Sequence, residues 1–350
     1  MNTLHITLFA TLAGPSAHAP LAGRGLDEVV LRPRSEPAVT LTRTIERRSE
    51  WNGSDLTVSM DGQEVPQEYL PDLTLDIVSE QALEVLDVRR ERALDRTFVA
   101  LSQEARVALD LGGYMGQQGE EFEATAASPL EGRAVQFSFG EGDACEARFV
   151  DAPESARPKE AQDAGVRASE AKLLAGLRPG LDLAGWLPSD SVAVGARWEA
   201  PAAALGEAID PCGELAWQWS RPDADGRVDS SEIAGDVALE FVALAEVDGR
   251  ALAELRVSGT FVLTTKRATD LADVPVADGT ATETRAVNHT LSGQILWDVA
   301  GGHLSSAELT SDIDGLASTV KDAGQEGPDY ASTMRFTGRE VWHLATSRER

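Results

Sequence analysis

Apolar residues recur at every second position through most of the C-terminal half of this chain, in runs far longer than an ordinary strand. Period-two alternation marks a half-buried β-strand, because successive side chains point to opposite faces of a sheet. Val237, Leu239, Phe241 and Ala243 define one strand, and Asp248-Gly249 supplies the residues of a tight two-residue hairpin turn. The return strand places Ala253, Leu255, Val257, Phe261 and Leu263 on one face, with Glu254, Arg256, Ser258, Thr260 and Thr264 on the other. Val287, Leu291, Ile295 and Trp297 share the next face, Gly301-Gly302 turns the chain, and Ala307, Leu309 and Ile313 return. Met334 and Phe336 open a last strand. In the first half the pattern is patchier. Leu56, Val58 and Met60 stop at Asp61-Gly62, Leu73, Leu75 and Ile77 repeat the alternation, and Val135, Phe137 and Phe139 turn through residues 140–143 into Cys145, Ala147 and Phe149.

The longest runs reach roughly 14 to 17 residues, against about 5 or 6 for a usual strand. Twist accumulates over such lengths. The pattern therefore predicts a mainly β protein with two strongly curved antiparallel sheets, half-barrel or barrel-like, each packed on one face and wet on the other. Between the halves, residues 157–164 are polar like a linker, and Val166, Leu173, Leu174, Leu177 and Leu181 follow at helical spacing, with Pro179-Gly180 as a stop. One helix packed against a curved sheet is expected there, and a second, short one over residues 202–209. The expected organisation is a signal peptide over 1–19, an N-terminal antiparallel β domain over 26–156, linker and helix over 157–186, and a C-terminal long-stranded β domain over 187–350.

At 350 residues, 42% hydrophobic and 25% charged, the composition is that of a globular protein of one large or two ordinary domains. A net charge of -27 repels phosphate backbones and anionic lipid surfaces, so nucleic acid is not an expected partner. The apolar run over residues 4–13, followed by Ala17-His18-Ala19, fits an export signal, which predicts a periplasmic or secreted protein. No cysteine follows that signal, so no lipid anchor is expected, and no other apolar run approaches the ~20 residues of a membrane-spanning helix. Cys145 and Cys212 are the two cysteines. They could pair in an oxidising compartment, but the phase of Cys145 with Ala147 and Phe149 favours a free thiol facing a core.

Motifs that would carry chemistry are sparse. Residues 221–232 align with a twelve-residue calcium loop, placing Asp223, Asp225, Asp229 and Glu232 at ligand positions and Gly226 at the sharp turn. Arg221 occupies the first ligand position and the flanks read as strands, so a metal-free acidic hairpin loop is the competing reading. Ser169 and Lys172 match S-x-x-K without its partner motifs, and Gly140-Glu141-Gly142 lacks the third glycine of a nucleotide loop. His289, His303 and His343 are not at metal-ligand spacing. His289 falls on an apolar face, where a hydrogen-bonded structural imidazole is expected.

Leu187-Pro188 followed by Val192-Ala193-Val194-Gly195-Ala196-Arg197-Trp198, then Asp248-Gly249, then Gly293 to Trp297-Asp298 with Gly301-Gly302, resembles a family of exported bacterial β-rich proteins of unknown function. The resemblance spans residues ~170–315 and implies an exported β-rich fold without implying any catalytic residue. The curved sheets with a helix are also similar in shape to periplasmic lipoprotein carriers of the half-barrel kind. The leading expectation is a non-catalytic protein binding a partner or a lipid-like, apolar ligand at a curved sheet, without a cofactor. The alternatives are an envelope hydrolase with an unrecognised carboxylate pair and a calcium-stabilised surface protein.

Overall fold

The computed structural model describes residues 28–33, 39–90, 93–112, 119–140, 145–150, 170–171, 173–174, 177–180, 182–206, 217–221, 229–270, 279–322 and 329–348. Its strands are β1 (Val39–Met60), β2 (Gln63–Glu64), β3 (Thr74–Arg90), β4 (Ala93–Asp110), β5 (Glu120–Ala127), β6 (Ala134–Phe139) and β7 (Cys145–Phe149) in the first half. The second half adds β8 (Arg197–Pro201), β9 (Gln218–Trp219), β10 (Ser230–Val247), β11 (Arg250–Asp270), β12 (Thr280–Asp298), β13 (His303–Lys321) and β14 (Tyr330–Arg348). The protein is mainly β, as the alternation requires. The described strands, however, form one antiparallel sheet of 14 strands where two sheets were expected: eleven run in the order β7-β6-β4-β3-β1-β14-β13-β12-β11-β10-β8, β2 pairs with β1, and β5 pairs with β4 and β9. The last strand returns to the first long one, and β14 pairs with β1 from Leu41↔Arg348 to Met60↔Tyr330. That ladder welds the two halves together.

The turns obey local chemistry. Asp61-Gly62 and Asp248-Gly249 both hold two successive residues at positive φ (50° and 72°, 51° and 75°), the geometry that joins twisted strands in two-residue hairpins. Bulges re-phase four ladders: Ser54/Thr57 in β1–β14, Glu84/Val85 in β3–β4, Phe241/Ala243 in β10–β11 and Leu296/Trp297 in β12–β13. In β4 the bulge puts both Phe98 and Leu101 on the buried face and leaves Val99 exposed.

The sheet curls. Asp182 pairs with Arg89 of β3 at 2.6 Å, while Trp186 donates its indole N–H to the Pro201 carbonyl of β8 at 3.2 Å. Asp182 and Trp186 lie four positions apart across a 3-10 turn, yet they bond strands that stand seven places apart in the sheet, and one buried cluster joins Phe137 of β6 to Leu239 of β10. Glycines permit the bend. Gly259, Gly293, Gly315 and Gly338 share the phase of inward residues on consecutive strands, and a Cβ at any of them would run into the backbone of a neighbouring strand. A Cβ on Gly315 would lie 2.8 Å from the Ala286 carbonyl oxygen, and one on Gly338 would meet that of Glu50.

One end of the inner face is packed. Leu31, Leu130, Leu183, Trp186, Ala202 and Leu205 lie against Phe98, Phe137, Leu239, Leu255, Trp297 and Trp342 in a single buried cluster. Val29 and Val192 tie two segments of this plug by reciprocal backbone hydrogen bonds of 2.8 and 2.9 Å. Most of the expected linker helix lies outside the described residues. Within it, Glu170, Ala171, Leu173 and Leu174 have helical backbone, and Leu173 and Leu174 pack against the cluster. The described start of the second expected helix is a 3-10 turn, Ala202–Leu205.

Cys145 corrects an expectation. It is an exposed free thiol, although it shares its phase with the half-buried Ala147 and Phe149. β7 is the outermost strand on its side, and its first residue extends past the packed core. Cys212 lies outside the described residues.

Candidate functional site

Three zones follow one another along the inner face. The first, beside the plug, is a buried ionic network. Asp87 of β3 receives Arg96 through two hydrogen bonds of 2.7 and 3.0 Å and lies 3.1 Å from the guanidinium of Arg43. Asp182, in the plug, pairs with Arg89 at 2.6 Å and lies 3.7 Å from Arg43. Arg96 also donates to the carbonyls of Arg178 and Pro179, both at 2.9 Å, so the network fastens the plug to the sheet. Burial pushes both carboxyls up, but the facing arginines outweigh it and hold Asp87 and Asp182 below the ordinary carboxylate value. Arg43 is held by charge alone, its guanidinium making no hydrogen bond among the described residues, while Arg89 and Arg96 fasten the plug to the sheet by hydrogen bonds.

The second zone is a polar belt across the middle of the sheet, built from Arg47 and Ser49 of β1, His289 of β12, Ser311 of β13 and Glu340 of β14. The register sets Ser311 opposite Glu340 and Glu340 opposite Ser49. Glu340 is fully buried, and its Oε1 accepts from Arg47 at 2.8 Å, Ser49 at 3.1 Å and the indole of Trp51 at 3.2 Å. Burial raises its carboxyl, and Arg47 overrides that to keep it charged below its usual value. Its Oε2 has no hydrogen-bond partner among the described residues. His289 is 1% exposed, stacks on Phe261 with ring centroids 4.5 Å apart, and contacts the Ser311 hydroxyl through Nδ1 at 3.2 Å. Burial lowers its pKa against the opposing pull of Glu340, so the imidazole is neutral, and its Nε2 also lacks a partner among the described residues.

Serine, histidine and glutamate on three adjacent strands invite comparison with a hydrolytic triad. The geometry does not form one. The carboxylate engages Arg47, Ser49 and Trp51 rather than the imidazole, and the Ser311 hydroxyl, itself fully buried, also approaches the Asp312 carbonyl at 3.3 Å.

The third zone is apolar and only partly covered. Trp51, Leu75, Ile77, Val107, Phe122 and Met334 occupy inward positions, but each is half-buried where the equivalents beside the plug are sealed. Trp51 packs edge-on against Phe336 at 6.0 Å and thereby joins this surface to the belt. On the opposite wall charged residues face inward near the end of the strands: Glu283 accepts from Arg267 at 2.9 Å and also pairs with Arg285.

The calcium-loop residues do not join this site. Asp223 and Asp225 lie outside the described residues. Asp229 accepts from the Ala268 backbone N–H at 2.6 Å, and Glu232 is an exposed residue on β10 opposite Thr264. The described flanks of that loop are strands, and no cluster of metal-ligating side chains occurs among the described residues. His289 and His303 are not close: His289 faces Ile313, and His303 faces Asp298. The resembling motif performs packing and turning. Trp198 donates to the Trp186 carbonyl at 2.7 Å, and Gly195, at φ 90°, donates to the Phe241 carbonyl at 2.7 Å. Sequence reasoning missed Glu340, Arg47 and Ser311. The available signal was a charged residue in phase with apolar ones, since Glu340 shares its face with Phe336, Trp342 and Leu344.

No protein-family model matches this chain, and no curated protein matches it in sequence. Among solved structures, it is similar to OccK7 (OpdD) of Pseudomonas aeruginosa at 7% identity, covering 89% of this chain and 99% of that one, with a TM-score of 0.18. A FadL homologue from P. aeruginosa matches at 9% identity over 88% of this chain and 90% of that one, with a TM-score of 0.17. The toluene transporter TodX of P. putida matches at 8% identity over 89% of this chain and 91% of that one, with a TM-score of 0.16. Likeness at this level carries no argument about fold or function.

Proposed function

We propose that this is an exported, non-catalytic protein that holds an apolar ligand against the inner face of its curled sheet. The observation that carries the reading is the contrast between the two ends of that face. Beside the plug, inward apolar side chains are sealed, whereas Trp51, Leu75, Ile77, Val107, Phe122 and Met334 remain half-buried. A contiguous apolar surface on the inside of a bent sheet is favourable to cover, at roughly 25 cal/mol per Å² removed from water. A plug held by ion pairs supports the same reading, because it fixes the sheet's curvature without filling the far end. Export to the periplasm or medium is supported by the apolar run over residues 4–13 and by Ala17-His18-Ala19. The helical backbone at Glu170, Ala171, Leu173 and Leu174 supports the expected helix between the two halves, packed on the core through Leu173 and Leu174. Among the described residues no helix is long and apolar enough to cross a membrane.

The test is native mass spectrometry of the purified chain, followed by organic extraction. The expected result is a lipid-like adduct that is released by extraction and lost when Ile77→Arg places a charge on the half-buried surface. Purification without any adduct, together with failure to bind a neutral apolar dye such as Nile red, would end this reading.

A further inference from the structure

We infer that the ligand is a single-chain amphiphile with an uncharged hydroxyl head, seated between Glu340 and His289 with its tail along the half-buried apolar surface. This inference rests on the carrier reading above and specifies the chemistry of its ligand. Two polar atoms in the belt are buried and unpartnered among the described residues: Oε2 of Glu340 and Nε2 of His289. A buried polar atom without a hydrogen bond carries a desolvation penalty, so both favour a polar group placed between them. Other unpartnered ring nitrogens, of Trp297, His303 and Trp342, belong to the packed side of the belt, away from the half-buried surface.

A hydroxyl has the required valence, since it donates one hydrogen bond and accepts others. Its proton goes to Glu340 Oε2, which as a carboxylate oxygen only accepts. Its lone pairs meet His289 Nε2–H in the tautomer that the bound head selects, in which the Ser311 hydroxyl gives its single proton to Nδ1 at 3.2 Å instead of to the Asp312 carbonyl at 3.3 Å. A carboxylate head fails at this place, because it brings a second negative charge against Glu340 and has no proton to give. An ammonium head would add a net charge to a pair, Arg47 and Glu340, that is already neutral, beside a fully buried carboxylate. The surface field, at a net charge of -27, also opposes anionic heads. Tail length follows from the strands. From Ser79 to Leu75, and from Glu340 to Met334, the inner face runs about 13 to 20 Å at ~3.3 Å per residue, the reach of a medium alkyl chain.

The experiment displaces Nile red from the full chain with 1-decanol, decylammonium and decanoate. Decanol is expected to displace the dye at about tenfold lower concentration than decanoate, the difference of one hydrogen bond to a charged group. The preference should fall to within about threefold in Glu340→Gln and also in His289→Phe, which keeps the stacking on Phe261 and leaves Arg47 paired, so a folding defect in the first does not decide the outcome. Decanoate binding as well as decanol overturns the hydroxyl assignment, leaves the carrier reading standing, and moves the head to Arg267 and Arg285. An unchanged preference in both variants overturns the placement. If Nile red does not bind at all, the carrier reading falls and the head-group assignment falls with it.

Discussion

Asparagine in place of Asp87 is expected to cost about 3 to 5 kcal/mol of folding stability, read as a lower urea midpoint with an unchanged slope. Asp87 is the carboxylate shared by Arg43 and Arg96, and all three side chains are at most 2% exposed. Removing its charge leaves Arg43 with Asp182 alone, 3.7 Å away, and Arg96 with neutral plug carbonyls, where water does not reach them. Arg48→Ala, which breaks the exposed pairs with Glu50 and Glu80, should cost under about 1 kcal/mol. The same network fixes the response to acid. Asp87, Asp182 and Glu340 have folded pKa values held below their unfolded ones, so the unfolded chain takes up these protons first as pH drops. Their contribution is complete above the ordinary carboxylate range and is lost as pH falls through their depressed values. His289 and His303 are also lowered, by burial. The unfolded chain protonates them first below the ordinary histidine value of 6.5, so a shallower loss of stability should begin there. Urea midpoints measured between pH 8 and pH 3 should show both stages, and Asp87→Asn should reduce the lower one.

Valine at Gly338 is expected to cost about 3 kcal/mol or more, with a loss of the near-ultraviolet circular dichroism of the nearby tryptophans. A Cβ there collides with the Glu50 carbonyl, and that atom is backbone in the β1–β14 ladder, so no side chain can swing aside. Valine at Gly249 is a useful contrast. It sits at φ 75° with open space around it, so its cost is conformational strain at a hairpin tip and leaves the curl of the sheet alone.

How much of this was legible in the sequence depends on what faces inward. β10 to β13 present mostly apolar residues to the interior, and their alternation disclosed strands, faces and the Asp248-Gly249 turn. β1, β3, β4 and β14 carry the polar groups instead. Arg43, Arg47 and Ser49 interrupt β1, Asp87 interrupts β3, Arg96 interrupts β4, and Glu340 interrupts β14, so the period-two signal breaks where the ionic network and belt are built. Bulges compound the loss: the inward phase of β1 runs through Leu41, Ile45 and Gly53, then shifts after Asp55 to Leu56 and Val58. The union of two expected sheets into one was hidden for a different reason. β1 and β14 are separated by nearly the whole chain, and alternation identifies strands without naming their partners. The belt was illegible because its members come from distant segments and share no motif spacing.

The joining of β1 to β14 underlies everything else, since it makes one inner face from two halves of the chain. Thr44 and Ala345 are directly opposed and both point outward. With Cys145 and Cys212 replaced by serine, Thr44→Cys and Ala345→Cys should be bridged rapidly by a short bifunctional thiol reagent in the native protein and not in urea, as scored by peptide mass. A folded protein in which these two cysteines are each modified but never linked would contradict the single curled sheet.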